Sequence, residues 1–83
     1  MEREDFKTEL KTVLLNQGFL NENQELNENS NLKDDLGLDS LDLVETIMEL
    51  ENRLGKNFDD DDVLDNAFTV KDVIDICLKK VNS

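Results

Sequence analysis

The chain has no histidine, no proline, no tryptophan and no tyrosine, and only one cysteine among its 83 residues. Without histidine, the Ser-His-Asp and Cys-His constellations are excluded, and so is every imidazole metal ligand. The single cysteine, Cys77, closes no intramolecular disulfide and builds no structural zinc site. That fits a reducing compartment, and a cytoplasmic location is expected. Basic residues are scarce: nine Lys and Arg stand against 21 Asp and Glu, a formal net charge of −12. Phosphate backbones and anionic membranes are met by Lys and Arg, so nucleic acid is not an expected partner. Self-repulsion at this charge favours a soluble monomer, and basic patches on other proteins are the natural complement. No apolar run approaches membrane-spanning length, so no membrane insertion is expected. The start, M-E-R-E-D-F-K, shows no basic region followed by an apolar core, so no secretory signal is expected. The length suits one small domain over 1–83, without room for a second core.

What remains is helical periodicity. Phe6, Leu10, Val13 and Leu14 recur at helix spacing, and Gly18 stands where that helix would stop. Val70, Val73, Ile74, Cys77, Leu78 and Val81 trace one face of a last helix. Thr69 is its predicted N-cap, with Asp72 in capping-box position. Lys79 and Lys80 complement the negative end of its dipole. Between these helices runs a long Asn- and Glu-rich connection, roughly from Gly18 to Leu38. A structureless loop of that length calls for a reason. Leu20, Leu26, Leu32, Leu36 and Leu38 look like anchors that pin it to the core.

A central helix is predicted from Asp39 or Ser40 to Leu54, with Gly55 just past its end. Leu43, Ile47, Leu50 and Leu54 form its core face, bordered by Val44. Leu41 and Met48 fall on another side, with Glu45 between them and Asp42 and Glu49 flanking. Phe58, Val63, Leu64, Ala67 and Phe68 suggest a short third helix behind the acidic run Asp59 to Asp62. That run offers carboxylates to divalent cations, but the spacing is not that of an EF-hand.

Ser40 admits three readings. As a nucleophile it lacks a base, and L-G-L-D-S-L is no G-x-S-x-G elbow. As part of a routine cap region, with Asp39 capping and Ser40 and Leu41 opening the first turn, it needs no function. As a modified side chain it requires no local base, because another enzyme performs the chemistry. A phosphodiester there would benefit from the helix N-terminus.

The stretch D-D-L-G-L-D-S-L-D-L-V-E-T-I-M-E-L-E resembles the D-L-G-x-D-S-L attachment motif of acyl carrier proteins. The resemblance extends through N-S-N-L-K-D-D-L-G before it and F-T-V-K-D-V-I-D at the last helix. It implies an all-α four-helix bundle with a long first loop and a short third helix. It implies 4′-phosphopantetheine, delivered from coenzyme A by a phosphopantetheinyl transferase, on Ser40 between Asp39 and Leu41. It implies a non-catalytic carrier of acyl thioesters that serves fatty-acid synthase enzymes through basic docking patches. Asp39, Leu41, Asp42, Glu45, Met48, Glu49 and Glu51 become the docking surface, and Phe6, Val44, Ile47, Leu50, Val63, Phe68, Val70 and Ile74 the candidate lining for an acyl chain. Two departures from the family pattern stand out: Arg53 late in the central helix, and no proline before the third. Polyketide, specialised-lipid, D-alanyl and peptidyl carriers remain alternatives, as does an acidic interaction domain without the arm.

Overall fold

In a computed structural model, which describes residues 1–58 and 60–82 and, at Asp60, the backbone alone, the periodic segments become four helices. These are α1 (Arg3–Asn16), α2 (Ser40–Leu54), α3 (Asp60–Asn66) and α4 (Val70–Val81). The predicted all-α bundle with a short third helix is what forms. Helix α1 packs on α2 and α4, and α3 packs between α2 and α4. The described residues hold no β-strand, only one isolated antiparallel bridge between Asn31 and Thr69.

Local chemistry sets the helix ends. Asp39 accepts the Asp42 N–H at 2.8 Å, and Asp42 accepts the Asp39 N–H at 3.2 Å, a reciprocal capping box at the start of α2. Gly55 ends α2 at φ +66°, a left-handed conformation that side chains with a Cβ rarely adopt, and donates to Glu51 O at 2.8 Å. Thr69 and Asp72 form the second capping box, opening α4 as the sequence predicts.

The core joins the apolar faces of all four helices. Phe6, Leu10, Val13, Leu14, Leu43, Ile47, Leu50, Val63, Val70, Val73, Ile74 and Cys77 are buried. Phe58, in the link before α3, meets Phe6 edge-on with ring centroids 6.3 Å apart. The long connection is not a free linker. Leu20, Leu26, Leu32 and Leu38 are buried, and Leu36 is partly buried against the core. Its backbone is tied to the α3–α4 junction: Leu32 N–H donates to Phe68 O at 2.9 Å, Val70 N–H to Ser30 O at 3.1 Å, and Lys71 N–H to Glu28 O at 2.9 Å. Arg3 adds an ionic staple, bonding Asp75 of α4 at 2.6 Å and the Glu28 carboxylate of the connection.

Three sequence expectations need correction. Phe68 is 64% exposed and lines no interior, because its backbone is pinned on both sides while Ala67 and Val70 take the core positions. Leu54 and Val44 are half-buried and not full core members. On α2 the buried face turns instead toward Thr46, whose hydroxyl lies 2.8 Å from Gln17 Oε1 and 2.9 Å from Asp42 O. Glu51, half-buried, accepts the Phe58 N–H at 2.8 Å.

The α4 capping box yields a test. The Phe68 N–H, burial notwithstanding, and then the Thr69 N–H hold the Asp72 carboxyl below the usual carboxylate range. A depressed folded-state pKa contributes stability above the unfolded pKa and loses it as pH falls through the folded one. Asp72→Ala is therefore expected to lower stability in urea at pH 7 by about 1 kcal/mol. The gap to wild type should close as pH falls from about 4 toward the depressed value; a gap constant with pH would remove the carboxylate from the explanation.

Candidate functional site

The sequence D-D-L-G-L-D-S-L folds as a tight turn followed by the first turn of α2. Asn31 organises the turn: its Oδ1 accepts the Lys33 and Asp34 N–H groups, each at 2.9 Å, while its own N–H donates to Asp35 Oδ2 at 2.6 Å. Gly37, at φ +74°, lets the chain reverse, its N–H reaching Lys33 O at 3.1 Å. Leu38 N–H then closes back on Leu32 O at 2.8 Å, with both leucine side chains buried. These contacts fix the point from which α2 departs. Ser40 follows as its first residue, exposed, with no hydrogen bond of its hydroxyl among those of the described residues.

Beside Ser40 lies a cleft of about 260 Å³. Its lining comes from three places: Asn31, Leu32 and Lys33 of the connection, Leu38 to Ser40 and Leu43 at the start of α2, and Leu64, Ala67 and Phe68 at the end of α3. The structure thus brings Ser40 and Asp39 to one edge of a partly apolar groove. Leu41 does not line it, but stands 66% exposed on the surface.

The other expected docking residues divide. Glu45 is exposed, and Met48 is 52% exposed, so with Leu41 they form an outward apolar and acidic strip along α2. Asp42 and Glu49 are half-buried beside it. Asp39 is exposed yet also serves as the cap. Glu51 is half-buried, and its carboxylate also holds the link to α3. At the helix end, Arg53 is paired with Glu9 of α1 at 2.8 Å. Sequence reasoning missed Lys33 as a lining residue and Thr46 as a buried one. Thr46 was within reach, because helical spacing puts it next to Leu50. Lys33 was not, because nothing local says which way a loop side chain faces.

Of the acidic run Asp59 to Asp62, Asp59 and the Asp60 side chain lie outside the described residues. Among the described residues no group of three or more Cys, Asp or Glu is arranged to hold a metal ion. No described helix is long and apolar enough to cross a membrane.

The bundle thus presents an exposed serine at a helix start, beside a groove. Comparison with known proteins places the chain in a family. Residues 6–77 match the family model described as a phosphopantetheine attachment site. An acyl carrier protein of Coprothermobacter proteolyticus is 43% identical over 76 residues, 92% of this chain and 90% of that protein. One from Thermotoga maritima is 37% identical, covering 95% of each, and one from Chlorobium phaeovibrioides is 36% identical, covering 96% of this chain and all of its own length. The chain belongs to the acyl carrier protein family, carriers whose prosthetic group is 4′-phosphopantetheine.

The double use of Asp39 is separable. Asp39→Ala removes the cap and is expected to cost about 1 kcal/mol, whereas Asp39→Asn, which still caps, should cost a few tenths. Urea unfolding of the two variants at pH 7 measures this; equal losses would mean that charge, and not the hydrogen bond, carries the effect.

Proposed function

We propose that Ser40 is the attachment point of the phosphopantetheine arm, and that the 83 residues act as one carrier domain for fatty acid biosynthesis. The observation that carries this reading is the exposed Ser40 hydroxyl within D-L-G-L-D-S-L, at the rim of the α2–α3 cleft. The residues there fit the group: the hydroxyl is accessible and unengaged among the described residues, the cleft has apolar walls, and Lys33 supplies a cation for a phosphodiester. When attached, the arm supplies a thiol that holds an acyl group as a thioester. Everything else asked of this chain is positioning. The capping box holds the Ser40 backbone at a fixed place, and the turn through Gly37 keeps it clear of the core.

Attachment is work for a phosphopantetheinyl transferase with coenzyme A. The chain has no histidine, and the carboxylates of Asp39 and Asp42 are each engaged with the other's backbone N–H. The base that takes the Ser40 proton therefore comes from the transferase.

Docking follows from charge. Leu41 and Met48 offer apolar contact, and Asp39, Asp42, Glu45 and Glu49 surround it with negative charge that meets Lys and Arg on the transferase and on synthase enzymes. Such encounters are fast, short-lived and salt-sensitive. The buried residues Phe6, Ile47, Leu50, Val63, Val70 and Ile74 form the interior that would part around an acyl chain. The fatty-acid assignment rests on D-S-L-D with an acidic helix. The net charge of −12 favours a monomer, and the single cysteine suits the cytoplasm.

Two experiments test this. Incubation with coenzyme A, magnesium and a phosphopantetheinyl transferase should raise the intact mass by one phosphopantetheine arm, with no gain in Ser40→Ala; a gain that survives the substitution would put the arm elsewhere. Glu45→Lys or Glu49→Lys should slow turnover by a fatty-acid synthase enzyme about two- to tenfold, most at low salt, with unfolding unchanged. Equal turnover across several partner enzymes would count against this docking face.

A further inference from the structure

The cleft beside Ser40 carries two features that attachment alone does not need. The first is Phe68. Of the four phenylalanines, Phe6 and Phe58 are buried and Phe19 is partly buried, but Phe68 is 64% exposed on the cleft. An exposed aromatic ring on a groove offers an apolar face that a ligand in the groove can bury. The second is Lys33. It is the one cation that lines the cleft among the described residues, and no ion pair of those residues involves it, although Asp34 and Asp35 follow it in sequence.

Neither position is accidental to the fold. Lys33 is held by its N–H on Asn31 Oδ1 at 2.9 Å and by its carbonyl, which accepts from Gly37 at 3.1 Å. Its neighbour Leu32 donates to Phe68 O at 2.9 Å, so the two segments are joined by a backbone bond. Leu43, Leu64 and Ala67 complete the apolar part of the lining next to Ser40.

We infer that Lys33 and Phe68 clip the chain's own prosthetic arm at rest, the ammonium pairing with the phosphodiester and the ring covering the pantetheine segment in the cleft. This rests on Ser40 being the attachment point. Charge complementarity supports it: a phosphodiester on Ser40, next to Asp39 and Asp42 of the capping box, meets repulsion that Lys33 on the same cleft relieves. Shape and chemistry support it too, since pantetheine carries a gem-dimethyl group suited to an aromatic face, between polar groups suited to the open side. A solvent-exposed ion pair is weak, biasing the docked arm only about two- to fivefold. That weakness suits a carrier, because the arm must leave the cleft to reach a partner's active site. The bias should fall as salt screens the pair.

The test is NMR on full-length holo-protein with a 13C-labelled pantetheine arm, its loading first checked by intact mass against Ser40→Ala. Expected are nuclear Overhauser contacts from the arm's gem-dimethyl protons to the Phe68 ring, and holo-minus-apo amide shifts at Lys33, Leu64 and Phe68. Phe68→Ser should abolish the shifts at Leu64, and Lys33→Gln should reduce the remaining contacts about two- to fivefold. Both side chains are exposed, so neither substitution should disturb folding; Phe68→Leu provides a second variant that keeps apolar bulk and loses the ring. Loading without contacts to Phe68, or shifts unchanged in both variants, overturns the clip and leaves the attachment reading standing. No loading at Ser40 overturns both. An unchanged arm signal in Phe68→Ser together with slower partner turnover would assign the ring to partner docking, and the clip would be wrong.

Discussion

The pairing of the long connection with the α3–α4 junction governs where everything else sits. A connection without helix or strand must still satisfy its backbone groups and hide its leucines. It does both at one place. Leu32, Val70 and Lys71 N–H groups cross-bond the two segments, and Leu26, Leu32 and Leu38 enter the core beside them. Because Leu38 closes on Leu32, the same contacts fix the start of α2. Ser40 is therefore presented by a frame built from distant parts of the chain, and the cleft beside it is the seam between them. A linker pinned only at its ends would leave the serine without a defined neighbour.

The acidic residues that dominate the composition divide their labour. Asp35, Asp39, Asp42, Glu51 and Asp72 each accept a backbone N–H, three of them at helix starts, where negative charge is favoured by the dipole. Glu28 and Asp75 are drawn into the Arg3 staple, and hydrogen bonds hold both carboxyls below the usual range: Arg3 acts first at Glu28, and Lys71 ahead of Arg3 at Asp75. Glu9 pairs with Arg53. On α2, Glu45 remains exposed to solvent. A net charge of −12 is thus not uniform repulsion, since much of it is matched to donors inside the fold. The same division explains why Arg53 does not turn the end of α2 into a plainly basic patch.

Much of the fold was legible in the residues. The α1, α2 and α4 core faces follow from helical spacing, the Thr69–Asp72 box from its pattern, and the Gly55 stop from the need for positive φ. The leucine anchors of the connection were legible because an apolar side chain among Asn and Glu has few other uses. Phe68 was misread as interior, since hydrophobicity does not say which of Ala67, Phe68 and Val70 faces in when a loop meets a helix. That Glu51 also accepts the Phe58 N–H was not legible, since a partner seven residues away on a turn leaves no local trace.

The chain's own residue order specifies the helices, their caps and the family motif, because these arise from neighbours three or four positions apart. It also sets the charge that favours basic partners. The folded arrangement alone settles which acids remain free, that Phe68 faces water, and that Lys33 shares a cleft with Ser40. Those outcomes come from packing between segments remote in sequence, where steric fit and backbone hydrogen bonding choose the orientation of each side chain.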